Sequence, residues 1–235
     1  MNFKVQNAAI GYDARPPLLH IDSWEAKGGG FHALLGSNGS GKTTLLRTLL
    51  GVHPLISGSV ALVDKLHSFT PSKRDVWVGH VAFVPSTPPR QVGLSVREVL
   101  ELSGDAKKAA KIHPRLTPWL DKRLSHLSDG QAQQVMVARA TLQSSHWVIL
   151  DEPTAFLDVA AQRELWEMLS RHVEEGGSVV MATHDLRGLS RGIATMSDHV
   201  LVRSSISVIE RGSLTRLPVG TTLDELESKF SSEVG

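Results

Sequence analysis

The sequence predicts an α/β protein: a parallel-sheet core, antiparallel strands at its start, and a helical insertion over about residues 86–139. Three observations carry this. The run Gly36-Ser37-Asn38-Gly39-Ser40-Gly41-Lys42-Thr43 stands between an apolar, strand-like Phe31–Leu35 and the leucine-faced segment Thr44–Leu50. Beyond residue 131, helical and strand patterns alternate in the manner of a parallel sheet. Between these halves, Pro85, Pro88, Pro89, Pro114 and Pro118 punctuate a stretch whose remaining pattern is helical.

Taken in order, residues 1–35 read as short strands with turns at Gly11-Tyr12-Asp13 and Lys27–Gly30. The leucine-faced helix stops at Gly51, followed by turns at His53-Pro54 and Ser57-Gly58 and strands at 59–64 and 76–84. Helices follow at 95–102 and 105–112, the first opened by Ser95 and Glu98 at capping-box spacing. Then come helix 131–143, strand 146–150, helix 159–174 and strand 178–183. Residues 198–217 read as small strands, and 221–235 as a polar helix or loose tail. The expected organisation is one domain over 1–212 with a tail at 213–235.

The 235 residues suffice for a substantial core, and 41% apolar with 21% charged residues is ordinary for a globular chain. A net charge of +1 argues against nucleic acid as a partner; Lys107, Lys108 and Lys111, the clustered lysines, read as a solvated helix face. The absence of cysteine removes disulfides, thiolate metal sites and a cysteine nucleophile. The N-terminus lacks a secretory pattern and no apolar run approaches membrane-helix length, so a soluble or peripheral protein is expected.

The glycine run has the form G-x-x-x-x-G-K-[ST], and its strand–loop–helix context predicts a phosphate-binding loop in a P-loop NTPase with a RecA-like core. Gly36, Gly39 and Gly41 let backbone N–H groups surround phosphate oxygens, with Ser37, Asn38, Ser40 and Thr44 completing the cradle at the positive end of the helix dipole. Lys42 can reach the β- and γ-phosphates of ATP, and the Thr43 hydroxyl can ligate Mg²⁺. A second acidic element follows the strand His146–Leu150. Asp151 is suited to hold Mg²⁺, and Glu152 to polarise an attacking water.

Leu127-Ser128-Asp129-Gly130-Gln131 then selects among phosphate-loop families. It resembles the signature of ATP-binding cassette (ABC) ATPases, usually Leu-Ser-Gly-Gly-Gln. Tyr12 stands where that family's adenine-stacking aromatic lies, Ala155-Phe156-Leu157-Asp158 resembles the D-loop, and His184 matches the switch histidine. The resemblance covers essentially residues 1–212. It implies a head-to-tail dimer of two cassettes enclosing two ATP molecules, with Ser128, Gly130 and Gln131 of one meeting the γ-phosphate held by the other, Asp158 at the interface, and His184 on the γ-phosphate. It further implies a peripheral subunit on the cytoplasmic face of the inner or cell membrane, joined to a separate permease and indirectly to a substrate-binding protein.

Within the family, Val92–Leu100 and Thr154–Asp158 look most like the importer ATPases for iron chelates, haem and cobalamin. The alternatives are a non-transport cassette ATPase, as in iron–sulfur assembly, an exporter ATPase, or a module that dimerises on ATP without hydrolysing it. The sequence departs from the pattern twice. Ser86 replaces the glutamine that usually follows the strand ending at Pro85, so Mg²⁺ contact there would run through a water. Asp129 replaces the first signature glycine; its carboxylate suits a helix N-terminus but would repel phosphate if turned inward, so it is expected to point away.

Overall fold

A computed structural model describes residues 1–235 except 13–15, 72–76, 78, 105, 143–145, 218–220, 222–223 and 226–235. Ten strands form one mixed sheet: β1 (Asn2–Ile10), β2 (Leu19–Ala26), β3 (Phe31–Leu35), β4 (Leu55–Val63), β5 (Ser68–Phe69), β6 (Val81–Val84), β7 (Trp147–Asp151), β8 (Ser178–Thr183), β9 (Ser205–Glu210) and β10 (Ser213–Arg216). Their spatial order is β5-β4-β1-β2-β10-β9-β3-β8-β7-β6. Helices bounded within the described residues are α1 (Lys42–Leu49), α2 (Val96–Glu101), α3 (Ala106–Ile112), α4 (Asp129–Leu142), α5 (Val159–Glu174), α6 (Leu186–Ile193) and α7 (Asp198–Leu201), with 3₁₀ turns at Pro114–Trp119 and Leu124–His126. The α/β phosphate-loop architecture expected from the sequence is the one observed.

Strands β9, β3, β8, β7 and β6 run parallel. β3, β6, β7 and β8 read as largely apolar runs because both faces are covered, whereas Ser205 and Ser207 interrupt β9. In β3, Phe31, Ala33 and Leu35 enter one core with α4 and α5, while Leu34 enters the other with Leu45, Leu46 and Leu49 of α1. The same split recurs in β7, where Val148 and Leu150 oppose Trp147 and Ile149. The capping box foreseen at Ser95 is present: Glu98 N–H donates to Ser95 Oγ at 3.3 Å, and Ser95 N–H donates to Glu98 Oε2 at 2.7 Å.

Three readings need correction. Ser57-Gly58 is no turn; both lie inside β4, where the register against β1 shifts and Gly58 adopts φ +85° opposite Asn7 at +46°. A Cβ on Gly58 would stand 2.2 Å from the Asn7 carbonyl oxygen, so the glycine marks a bulge rather than a reversal. The strand expected over 76–84 is Val81–Val84 alone, with Trp77, Gly79 and His80 helical. Tertiary contacts decide this: the Trp77 indole donates to Leu49 O at 3.0 Å and meets Phe3 edge-on at 5.7 Å. Residues 198–201 are helix rather than strand, and Ser197 anchors their start to Glu174 through both its N–H and its hydroxyl. The expectation for 221–235 falls almost wholly outside the described residues, as do the side chains of Lys108 and Lys111. No helix among the described residues is long and apolar enough to cross a membrane.

His32 is fully buried in β3. Nε2 lies 2.9 Å from Lys27 O, which only accepts, so Nε2 carries the proton and Nδ1 accepts from the Ser205 hydroxyl at 2.8 Å. Burial, helped by Arg216 and opposed by the Lys27 carbonyl, pushes its pKa down from 6.5 to about 4. Between those values the unfolded chain binds more protons than the folded one. Stability is therefore complete above pH 6.5 and is lost as pH falls towards 4, by up to ~3 kcal/mol from this residue. His113, pushed to about 4 by burial and then Arg171, adds to the same slope. The urea midpoint should drop between pH 7 and pH 5, and His32→Gln should flatten that drop; an unchanged slope would exclude His32 as its source.

Candidate functional site

The register of the parallel strands assembles the site. Leu35 pairs with Thr183, Ala182 with Asp151, and Leu150 with Val84. The residues just beyond these pairs, Gly36, His184, Glu152 and Ser86, therefore emerge at one edge of the sheet. That edge holds the carboxyl ends of adjacent parallel strands, where ligands of such sheets collect.

The loop Gly36–Gly41 turns tightly, with Ser40 N–H donating to Ser37 O at 3.2 Å and left-handed φ values of +82° at Gly39 and +105° at Gly41. A Cβ on Gly36 would sit 2.5 Å from Ser40 Oγ, so only glycine lets the loop close on itself. Gly41 is the N-cap of α1 and supplies no side-chain cap. The first-turn N–H groups of α1 are thus available to an anion, reinforced by the helix dipole. Ser37, Asn38, Gly39 and Ser40 also line a pocket of about 320 Å³ with Leu18 and Ile209–Gly212. Thr44 is buried behind the loop, its carbonyl accepting from Thr48 Oγ1.

Lys42 is 5% exposed, and its ammonium donates to Gly36 O at 2.7 Å and Ser37 O at 3.1 Å. It also lies 3.1 Å from Glu152 Oε1. Glu152 holds a left-handed φ of +45°, and its N–H donates to Ala182 O at 2.9 Å, which locks the backbone to β8. Its other oxygen, Oε2, accepts from His184 Nδ1 at 2.9 Å and from the His184 N–H at 3.3 Å. Lys42, Glu152 and His184 form one chain of charge-assisted contacts. The His184 Nδ1 directs its proton at Glu152 Oε2.

The Thr43 hydroxyl lies 2.9 and 3.1 Å from the two oxygens of Asp151. Burial pushes the Asp151 carboxyl above its ordinary range, with the Thr43 hydrogen bond opposing. These are hard oxygen donors of the kind Mg²⁺ takes alongside phosphate and water, so the pair fits that ion. Among the described residues there is no cluster of three or more His, Asp or Glu side chains fit to hold a metal without such help. Ser86 is half-buried at the neighbouring strand end. Sequence reading missed Gln133, fully buried in α4, whose amide donates to Pro85 O at 3.1 Å and pins the segment leading into Ser86. The adjacent pair Gln133-Gln134 at the head of the apolar stretch Val135–Ala138 was the available signal.

The Ser128–Gln131 turn makes a separate group. Gln131 N–H donates to Ser128 Oγ at 3.2 Å and Ser128 N–H to Gln131 Oε1 at 3.1 Å, a capping box that opens α4. The Gln131 side chain thus holds the turn. A Cβ on Gly130 would stand 2.7 Å from Phe156 O, so the turn packs against the D-loop region of its own chain. Asp129 is directed to Arg90, with Nη1 donating to Oδ1 at 2.9 Å. Asp158 caps α5, its Oδ1 accepting from Ala161 N–H at 2.8 Å. Tyr12, 51% exposed, meets His53 edge-on at 4.9 Å, and His53 bonds back to Gly11 O.

With this geometry in hand, comparison with known proteins is specific. The family model described as ABC transporter matches residues 19–155. The hemin import ATP-binding protein HmuV of Roseobacter denitrificans is 33% identical over 217 residues, covering 84% of this chain and 80% of that protein. The phosphonates import ATP-binding protein PhnC of Trichormus variabilis is 34% identical over 230 residues, covering 91% and 92%. A solved structure described as an ATP binding subunit of an ABC transporter superposes with a TM-score of 0.80 at 24% identity, over 98% of this chain and 100% of that one, which shows the shared fold.

Proposed function

This chain belongs to the ABC transporter family and is an ATPase of it; from that premise we propose that it powers solute import through a separate membrane permease, with an iron chelate or haem as cargo. The observation that carries the ATPase premise is the Lys42–Glu152–His184 chain at the carboxyl edge of the sheet, beside the open N-terminus of α1. ATP binds with its adenine near Tyr12 and its phosphates over Gly36–Thr44. The Thr43 and Asp151 oxygens would hold Mg²⁺, which would supply neutralisation of phosphate charge. Glu152, whose Oε2 is fixed by His184, accepts a proton from the attacking water, and Lys42 exchanges its loop carbonyls for the γ-phosphate. Catalysis of this kind is positioning and electrostatic stabilisation.

The signature turn contacts Arg90, Phe156 and its own cap rather than Lys42 or Glu152. That separation supports a head-to-tail pair in which Ser128 and Gly130 of each copy complete the site of the other. The importer reading draws on the import proteins the chain resembles, and the iron-chelate or haem cargo on the 92–100 and 154–158 segments together with the hemin-import relative. A protein without a membrane-crossing helix among its described residues would bind the membrane peripherally, through the permease. Isolation of the chain from native membranes in mild detergent tests this. A many-helix permease should accompany it, and a transported chelate in the uptake assay of that complex would fix the cargo. A soluble partner instead would overturn the importer reading.

A further inference from the structure

Asp129 is the residue in the signature turn whose charge opposes the task of that turn. We propose that Arg90 is a positioning residue for it: the guanidinium holds the Asp129 carboxylate off the face that Ser128 and Gly130 offer to the nucleotide of a second copy. The proposal rests on the head-to-tail reading above.

Arg90 reaches the turn from the proline-bounded loop between β6 and α2, whose shape is set locally by Arg90 N–H on Pro88 O at 2.8 Å and Val92 N–H on Pro89 O at 3.3 Å. One guanidinium spans the signature turn and the 3₁₀ turn Leu124–His126 before it. Nη1 donates to Asp129 Oδ1 at 2.9 Å and Nη2 to Ser125 O at 3.2 Å. The root of the same loop is tied to α4 by Gln133 on Pro85 O. Loop and helix are therefore tied at two places, and the carboxylate has a partner between them.

Magnitudes separate this role from a structural one. With side-chain exposures of 36% and 45%, an ion pair contributes little to folding. A carboxylate in the first turn of a helix is favourable by itself, so losing Arg90 leaves α4 formed. What Arg90 changes is direction and net charge at the turn. Freed, the Asp129 carboxylate can swing toward the N–H groups beside it, which are those an incoming γ-phosphate requires, and two anions would then compete for one site.

The test measures ATP-driven self-association by sedimentation in the Glu152→Gln background, in which ATP binding is expected to persist without turnover. Arg90→Ala should weaken dimerisation about tenfold, while binding of a fluorescent ATP analogue to the monomer stays unchanged. Adding Asp129→Gly should restore dimerisation, because no carboxylate remains to be held, and Arg90→Lys should retain part of it. An Arg90→Ala protein that dimerises normally overturns the proposal, and so does a defect that Asp129→Gly leaves in place, which would make Arg90 a shaper of the loop or a permease contact. If the Glu152→Gln protein itself fails to dimerise on ATP, the head-to-tail reading falls and takes this assignment with it.

Discussion

Glu152→Gln should reduce steady ATP turnover by roughly 10²–10⁴-fold while leaving ATP binding intact. The geometry separates these two effects. Glu152 contributes nothing to the phosphate cradle itself, which is built from the Gly36–Gly41 backbone and the first turn of α1. Its carboxylate instead stands between Lys42 and the His184 imidazole, with its backbone fixed to β8. The amide of glutamine fits the same space, keeps one oxygen for Lys42 or His184, and cannot take a proton from water. Turnover and equilibrium binding of a fluorescent ATP analogue, measured on one preparation, decide the matter. Turnover in the variant near that of the wild type would remove Glu152 as the base. Lost binding would show that the carboxylate shapes the cradle after all.

The elements that build this site were legible because their signals are local. A buried parallel strand reads as an apolar run, and β3, β7 and β8 each do so. The phosphate loop, the Asp151-Glu152 pair and the Ser128–Gln131 cap are set by residues a few positions apart. What escaped depends on distant partners. Trp77 is helical because its indole finds Leu49 and Phe3, and nothing near Trp77 announces either. Gly58 reads as a turn until β1 lies against it and a bulge absorbs the positive φ. Gln133 and Pro85, like Arg90 and Asp129, meet only when the helical segment folds back over the strand edge. Asp129 could be expected to turn outward on electrostatic grounds; the side chain that receives it could not be named from sequence.

Lys42→Ala should lower turnover by roughly 10²–10³-fold and weaken ATP binding as well, which distinguishes it from Glu152→Gln. The ammonium is saturated by Gly36 O, Ser37 O and Glu152 Oε1. ATP must therefore draw the lysine from its two neutral loop carbonyls. The exchange is favourable because the γ-phosphate carries more charge than the carbonyls it replaces and sits at the positive end of α1. Removing the ammonium takes away that contact and leaves the Glu152 carboxylate, 15% exposed, facing the phosphate without a countercharge. Repulsion then adds to the lost attraction. The double variant Lys42→Ala/Glu152→Gln should for this reason bind ATP more tightly than Lys42→Ala alone, although both turn it over far more slowly than the wild type. Equal affinity in the two variants would mean that Glu152 is screened from the phosphate, and that Lys42 acts on the nucleotide by its own charge alone.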